Sequence, residues 1–407
     1  MPRANRDQTL SEQLARGPVD LPFLLLTVLL TVIGLVMVLS ASSPSAYYDA
    51  KGAGNNPAYY FIRQGIFAAA GLAAMYIISK MNYQTFRWIS IFVLGVSIVL
   101  LLMVFIPGIG VVRNGARRWI EIGPLQFQPS ETAKVGIVLY FSSRLSKRDG
   151  YVFKPKEASG VLERAYNFLG RIGFIELVPY GIVLVAVCGL MAAQPHLSGI
   201  IIILVIAASI LFSGGVQLRW FVFVGILVGV ALAFYILSNP YMMERITSSS
   251  DPWEDPRVSG YQLTQSMMAI GSGGLTGVGL GKSRQKFMFL PEEHNDFIFS
   301  IICEELGLVG ACVIIILFIL LFLRGYWIAL HARDRFGSLL VVGVISQLAV
   351  QVFFNIGVVT GLLPTTGISL PLFSYGGTAL MVQLAEMGII LSVSRQMPPR
   401  RSADSGE

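Results

Sequence analysis

Charge is what this chain has least of. Only 13% of its 407 residues are Asp, Glu, Lys or Arg, about half the share usual in a soluble domain, which excludes a water-soluble globular protein. Cysteine is nearly absent. Cys188, Cys303 and Cys312 all lie inside apolar runs. That fits neither a disulfide framework nor a thiolate metal cluster and leaves buried, inert thiols. No internal repeat stands at a fixed spacing, which weakens, without excluding, an inverted-repeat transporter. No cleavable leader is expected: the first apolar run, 21–42, is too long for a signal-peptide core and a second run follows it, so it reads as an uncleaved span.

What the chain does have is hydrocarbon. Hydrophobic residues make up 54% of it and mean hydropathy is +0.68. Apolar runs of about 20 residues recur, the length that crosses a bilayer as a helix. They lie at 21–42, 58–79, 86–107, 130–144, 175–193, 197–213, 219–237, 297–323, 338–362 and 372–394. The pattern predicts an all-α polytopic membrane protein with about ten transmembrane helices. The fourth and sixth runs are short and hold or adjoin polar groups, so they need neighbouring helices. An even count puts both ends on one side. Most of the 30 basic residues then fall on the side of the N-terminus, which the positive-inside rule makes cytoplasmic. The expected organisation is a cytoplasmic tail at 1–20, one membrane domain at 21–395 and a second cytoplasmic tail at 396–407. The inner loop 144–174 is basic and reads as the site of an amphipathic helix on anionic headgroups. One large outer loop, 238–296, joins spans seven and eight. Within it "YQLTQSMMAI" reads as a short helix, and the glycine-rich stretch after it does not.

The outer basic residues are the exceptions to that bias. Apart from Lys51 and Arg63 they fall in two loops: Arg113, Arg117 and Arg118 in one, and Arg245, Arg257, Lys282, Arg284 and Lys286 in the other. Solvated surface charge is one reading. An anion-binding surface at the outer leaflet is the other, for which the forked donors of arginine are suited.

Several polar groups stand where hydrocarbon is expected. "GSGGLTGVGLGKS" (271–283) ends like a phosphate-binding loop. It has Thr276 where the Walker pattern needs glycine, lacks a preceding strand, and lies outside, so nucleotide binding is rejected. Re-entrant backbone beside a cavity, or anion contact through N–H groups, stays open. Glu131 and Lys134 share a helix face as either a structural ion pair or a polar cavity wall. Gln347, Gln351 and Asn355 form a stripe that interhelical hydrogen bonding explains. "GLLPTTGISLPLFSYGG" (361–377) cannot be a continuous helix, and its N–H groups around Ser374, Gly376 and Gly377 could meet an anionic headgroup. Glu304, Glu305 and Glu386 need partners or protonation. Asp296, in "FLPEEHNDFIF", is either a helix N-cap or a base beside Lys282, Arg284, Lys286 and His294.

Three segments carry a resemblance: "NGARRWIEIGPLQFQPSETAK" (114–134), "AIGSGGLTGVGLGKSRQKFMFLPEEHNDFIFSIICEELGLVG" (269–310) and "FNIGVVTGLLPTTGISLPLFSYGGTAL" (354–380). In order and spacing, over nearly the whole chain beyond residue 20, they resemble the SEDS family of bacterial cell-wall synthesis, the FtsW/RodA/SpoVE proteins. "GVGLGKSRQKFMFLPE" is similar to the FtsW and sporulation branch. The resemblance implies a multi-pass protein of the bacterial plasma membrane. It implies an inverting peptidoglycan glycosyltransferase that polymerises lipid II, a disaccharide-peptide on undecaprenyl diphosphate, in cell division or sporulation. Implied partners are a class B penicillin-binding protein that crosslinks the strands, other divisome proteins and membrane lipids; no nucleic acid is expected. The family's essential aspartate falls on Asp296, its span-four pair on Glu131 and Lys134, and its Arg-Trp on Arg118 and Trp119. Two positions depart from the family pattern. Asn295 replaces the usual threonine before the aspartate, and "QPHLSG" carries His196 where the family has aspartate.

On this reading Asp296 is the general base. Arg117, Arg118, Arg284 and Lys286 hold diphosphate charge, and Trp119 sits at headgroup level. No cofactor is demanded and no metal ligands are assigned, although a divalent cation, Mg or Mn, could share the diphosphate. A lipid II flippase is the competing class, suited by Glu131, Lys134 and Glu386. A scaffold that only recruits the penicillin-binding protein leaves the polar groups unexplained.

Overall fold

Every one of the ten apolar runs is helical in the computed structural model. It describes residues 17–398 except 51, 114–115, 123–124, 148–159, 172, 239–242, 244–246, 248, 250 and 257–259. The helices are α1 (Leu21–Tyr48), α2 (Tyr59–Lys80), α3 (Gln84–Met103), α4 (Pro129–Leu145), α5 (Val161–Arg171), α6 (Phe174–Ala193), α7 (Leu197–Ser213), α8 (Leu218–Leu237), α9 (Tyr261–Gly273), α10 (Ile298–Leu330), α11 (Arg335–Val359) and α12 (Gly377–Ser394). α9 is the short helix expected in the large loop, and α5 lies within the basic 144–174 segment. Most of the tails at 1–20 and 396–407, and Lys51, Arg245 and Arg257, lie outside the described residues.

Among the described residues, seven helices are long and apolar enough to cross a membrane: α1, α2, α3, α6, α10, α11 and α12. The expectation of ten counted three more. α7 and α8 contribute shorter apolar stretches. α4 has 17 residues, about 26 Å of helix against about 30 Å of hydrocarbon, and it carries Glu131 and Lys134. Such helices are stable at membrane depth only among others, and α4 is buried along most of its length. α11 and α12 are also central, with 67% of their apolar stretches buried against 17% for α6.

Two features depart from a plain helical bundle. First, the all-α expectation needs amending by a small antiparallel sheet of β1 (Gly110–Arg113), β2 (Ala116–Ile122) and β3 (Leu125–Phe127), in that order. Arg113 pairs with Ala116 and Ile122 with Leu125. The intervening dipeptides are Asn-Gly and Gly-Pro, which favour tight reversals between short alternating runs. Second, α10 is broken at Gly307 (φ 67°, ψ −170°). Its 33 residues would span about 50 Å, far more than a bilayer core. The part from Leu308 onward carries exposed apolar side chains, whereas Ile298 to Glu305 are all buried in protein.

The glycine-rich loop after α9 fills that break. Val278 and Gly279 N–H donate to the carbonyls of Glu304 and Glu305, at 3.0 Å each. Leu308 and Val309 N–H donate back to Gly274 and Leu275 (2.9 and 3.1 Å). The loop thus supplies partners that the broken helix lacks. Gly277 (φ 78°) has no room for a side chain, since a Cβ would lie 2.1 Å from the Glu305 carbonyl.

Both described ends of the chain meet at the end of the bundle away from the sheet. Asp20 caps α1 through Phe23 N–H (3.1 Å) and pairs with Arg324 (2.7 Å). Arg395 Nη1 donates to Gly17 O at 3.2 Å.

Candidate active site

Beneath the small sheet, α4, α7, α11 and the α11–α12 linker line a polar cleft of about 40 Å³ that opens at its mouth. α4 begins with proline, then turns Ser130, Glu131 and Lys134 toward it. At three-residue spacing Glu131 and Lys134 share a helix face. Lys134 Nζ lies 2.8 Å from Glu131 Oε2, and both residues are buried. His196 and Ser198 face them from the start of α7, Gln351 from the middle of α11, and Gly367 and Ser369 from the linker.

Asp296 abuts the wall of this cleft. It is half-buried, one residue before the N-cap of α10, Phe297. Phe297 holds the N-cap position, with no side-chain cap bond, so Asp296 is not the N-cap residue of this helix. Its carboxylate reaches the linker: a Cβ at Gly367 would lie 3.3 Å from Asp296 Oδ2. Gly367 has φ 68°, in the region where glycine is strain-free. The backbone of Asp296 is pinned by Asn355. Its Nδ2 donates to Asp296 O and to Ile368 O, at 2.7 Å each. One amide therefore ties the turn before α10 to the linker that walls the cleft.

Arg118 lies opposite the step between Val111 and Val112, where the β1–β2 register slips by one residue. Such a bulge re-aims the side chain of its extra residue. The guanidinium donates to Pro195 O and, at 3.5 Å, to Gln194 O. It therefore braces the turn that presents His196. Arg117 is exposed on β2 and Trp119 is half-buried.

The remaining expected site residues stand elsewhere. Lys286 is buried and bonded to Glu305 (2.8 Å) and Ser40 (3.2 Å). Glu305 also accepts from Ser40 Oγ, and Glu304 from Arg284 N–H at 2.9 Å. Glu304 and Glu305 thus organise the loop from which the side chain of Arg284 projects into the exposed surface. His294 stacks on Tyr60 (4.6 Å between centroids) and lies 3.2 Å from Glu293. Burial alone would raise the Glu293 carboxyl. Hydrogen bonds and charge from His294, with a bond from Ser45 Oγ, outweigh it and hold the carboxyl below its usual value. Ser374 Oγ donates to Asn295 O and receives Leu370 N–H, at 2.7 Å each. Gly376 N–H donates to Gln64 Oε1 at 3.2 Å. Gly377 packs so closely on Phe67 that a Cβ would lie 2.1 Å from the ring. Glu386 accepts both its bonds from Gln347 Nε2 (2.8 and 3.0 Å).

The cleft and Asp296 also depend on residues that sequence reasoning set aside. Gln351 and Asn355 were visible as a four-residue stripe, and that period fits helix packing equally well. His196 was visible only as a departure from a family motif. Among the described residues no three His, Cys, Asp or Glu side chains converge as metal ligands.

Known proteins share this architecture. The FtsW/RodA/SpoVE family model, described as cell cycle protein, matches residues 21–398. Stage V sporulation protein E of Bacillus subtilis is 42% identical over 92% of this chain and 97% of its own length. The probable peptidoglycan glycosyltransferase FtsW of Geobacter metallireducens is 40% identical over 93% and 95%. A chain from a structure on the coordination of polymerization and crosslinking by a peptidoglycan synthase complex superposes with a TM-score of 0.72. It has 26% identity and covers 93% of this chain and 98% of that one. The crystal structure of rod shape determining protein RodA of Thermus thermophilus gives 0.65 at 27% identity, over 94% and 98%.

Proposed function

The chain belongs to the FtsW/RodA/SpoVE cell cycle protein family, on its FtsW and SpoVE side, and from that premise we propose that it is a peptidoglycan glycosyltransferase that polymerises lipid II. It works as a single multi-pass domain (21–395) of the bacterial plasma membrane, both tails cytoplasmic and the 238–296 loop outside. The observation that carries the reading is the contact of Asp296 with the Gly367 wall of the buried polar cleft. A carboxylate beside a polar cleft whose lining charges, Glu131 and Lys134, offset each other suits proton removal from a bound hydroxyl.

Asp296 takes the proton of an acceptor sugar hydroxyl. The oxygen attacks the anomeric carbon of the lipid-linked donor. The bond to the diphosphate oxygen breaks, and undecaprenyl diphosphate leaves with the electron pair, inverting the centre. The Asn355 bonds to Asp296 O and Ile368 O favour a fixed aim for the base. Arg117 and Arg284, exposed at this end, hold diphosphate charge, with Trp119 at headgroup level. Lys286, paired with Glu305, supports the loop rather than the leaving group. A class B penicillin-binding protein crosslinks the product. The relative from a peptidoglycan synthase complex supports that partnership.

The test is polymer formation from purified lipid II by the Asp296→Asn protein with its penicillin-binding partner. Asparagine keeps shape and loses basicity, so the rate should fall about 100- to 10,000-fold, the usual worth of general-base help. Polymer at near wild-type rate would remove Asp296 as the base. Lipid scrambling in proteoliposomes, with no polymer from the wild-type protein, would favour a flippase.

A further inference from the structure

One buried polar group on the cleft wall has no role in that mechanism. His196 follows the Gln194–Pro195 turn and precedes α7. Three contacts lock the turn: Gln194 Nε2 donates to Leu101 O (2.9 Å), His196 N–H to Met191 O (3.0 Å), and Arg118 to the Gln194 and Pro195 carbonyls. The ring rests on Gly199, where a Cβ would lie 2.8 Å from Cε1. His196 is 7% exposed, and its Nδ1 has no hydrogen-bond partner among the described residues. Buried polar atoms are nearly always satisfied. A second orphan lines the same cleft, the Oε1 of Gln351, a residue 3% exposed.

The charges of the cleft identify the missing partner. Glu131 and Lys134 offset each other at 2.8 Å. Burial, with Arg118 and Lys134 nearby, pushes His196 down to about 3, so its ring is neutral at physiological pH. The lining is therefore uncharged overall and rich in hydroxyl, amide and imidazole groups. A diphosphate would need net positive charge. A group bearing hydroxyls and amides would satisfy the orphaned atoms.

We propose that His196 and Gln351 form a sugar subsite, in which they hydrogen-bond a hydroxyl or acetamide of the acceptor that enters the cleft at the Gly367 wall contacted by Asp296. This rests on the glycosyltransferase reading and adds a recognition role to it. The bracing of the turn by Arg118 and Gln194 makes the imidazole a rigid partner, as a binding group should be.

The experiment uses the full-length protein with its penicillin-binding partner and lipid-linked disaccharide at varied concentration. His196→Phe keeps the ring and removes both nitrogens. His196→Asn restores a neutral polar group near Nδ1. The Phe variant should lose about 2- to 13-fold in kcat/KM, the scale of one neutral hydrogen bond, mainly through KM, and Asn should recover most of it. A de-N-acetylated substrate separates the two partners. If the Phe penalty persists on it, the contact is to a hydroxyl; if the penalty vanishes, it is to the acetamide. Thermal unfolding in detergent checks folding. Should the Phe variant not fold, Gln351→Met is read in its place, with the same KM-weighted loss expected. A folded variant with wild-type kcat/KM on both substrates overturns the subsite while leaving the polymerase reading intact. A wild-type protein that makes no polymer overturns both.

Discussion

Replacing Asn355 with alanine should disarm the enzyme without touching Asp296 itself. Asn355 is 1% exposed, and its amide donates at 2.7 Å to both Asp296 O and Ile368 O. Alanine removes both bonds and leaves two carbonyls to find other donors in a buried setting. At about 1–3 kcal/mol for each buried group left unsatisfied, the local cost is about 2–6 kcal/mol, enough to let the turn before α10 drift from the linker. A misplacement of about 1 Å at a reacting group costs about 100-fold in rate. The expectation is a fall in kcat of about 10- to 100-fold with KM nearly unchanged. The assay is single-turnover polymerisation of lipid II by the purified complex, beside thermal unfolding in detergent. Gln347→Ala is the control. It sits eight residues back on α11, about 12 Å along the axis, and also loses buried bonds, those to Glu386. If the two variants lose stability and activity in parallel, Asn355 acts through the fold alone. A stable Asn355→Ala protein with wild-type kcat would refute the claim that these bonds aim the base.

Three further outcomes follow from buried charge. Lys134→Met strands Glu131 in the cleft and should destabilise the protein by about 3–5 kcal/mol, with much of that recovered in the Glu131→Gln/Lys134→Met double variant; an unchanged unfolding temperature in the single variant would show that the pair carries no such energy. Lys286→Met should cost a similar amount, because Lys286 and Glu305 have side chains only 4% and 0% exposed. A raised KM for lipid II at unchanged stability would instead return Lys286 to the substrate. The third outcome concerns acid. His196 titrates near 6.5 when unfolded and about 3 when folded. Above pH 6.5 it is neutral in both states and contributes no slope. Below 6.5 the unfolded chain takes a proton that the folded site refuses, so stability falls as pH drops toward 3, by about 1.4 kcal/mol per unit. Glu293, held below its usual 4.5, adds its own loss only beneath that value. Unfolding scans between pH 6.5 and 4.5 should therefore lose steepness in His196→Asn.

How much of this was legible depended on the range of the interaction. The ten helices fall within a few residues of the apolar runs, because about 20 consecutive apolar residues can satisfy their backbone in lipid only as helix. α9 was visible in "YQLTQSMMAI" as a short helix-compatible run before a glycine-rich stretch that cannot continue it. The small sheet was not expected, since its strands are three to seven residues long and its pairing is a matter of contact. The break at Gly307 was hidden too: one glycine in an apolar run costs a helix only about 1 kcal/mol, and the decisive partner is a loop some thirty residues earlier.

By itself the sequence determined the membrane character, the order of helices, the shared helix face of Glu131 and Lys134 by their three-residue spacing, and the motifs that place the chain in its family. Periodicity and hydrophobicity act over one or two turns, so one dimension suffices for them. Only the tertiary structure decided which polar groups meet. It turned Lys286 inward to Glu305 and set Arg118 to bracing a turn. It also made Asn355 the tie between Asp296 and the linker, and left His196 and Gln351 unsatisfied around one cleft. Those assignments depend on contacts between residues distant in sequence, 246 positions for Lys286 and Ser40, and packing alone sets such distances.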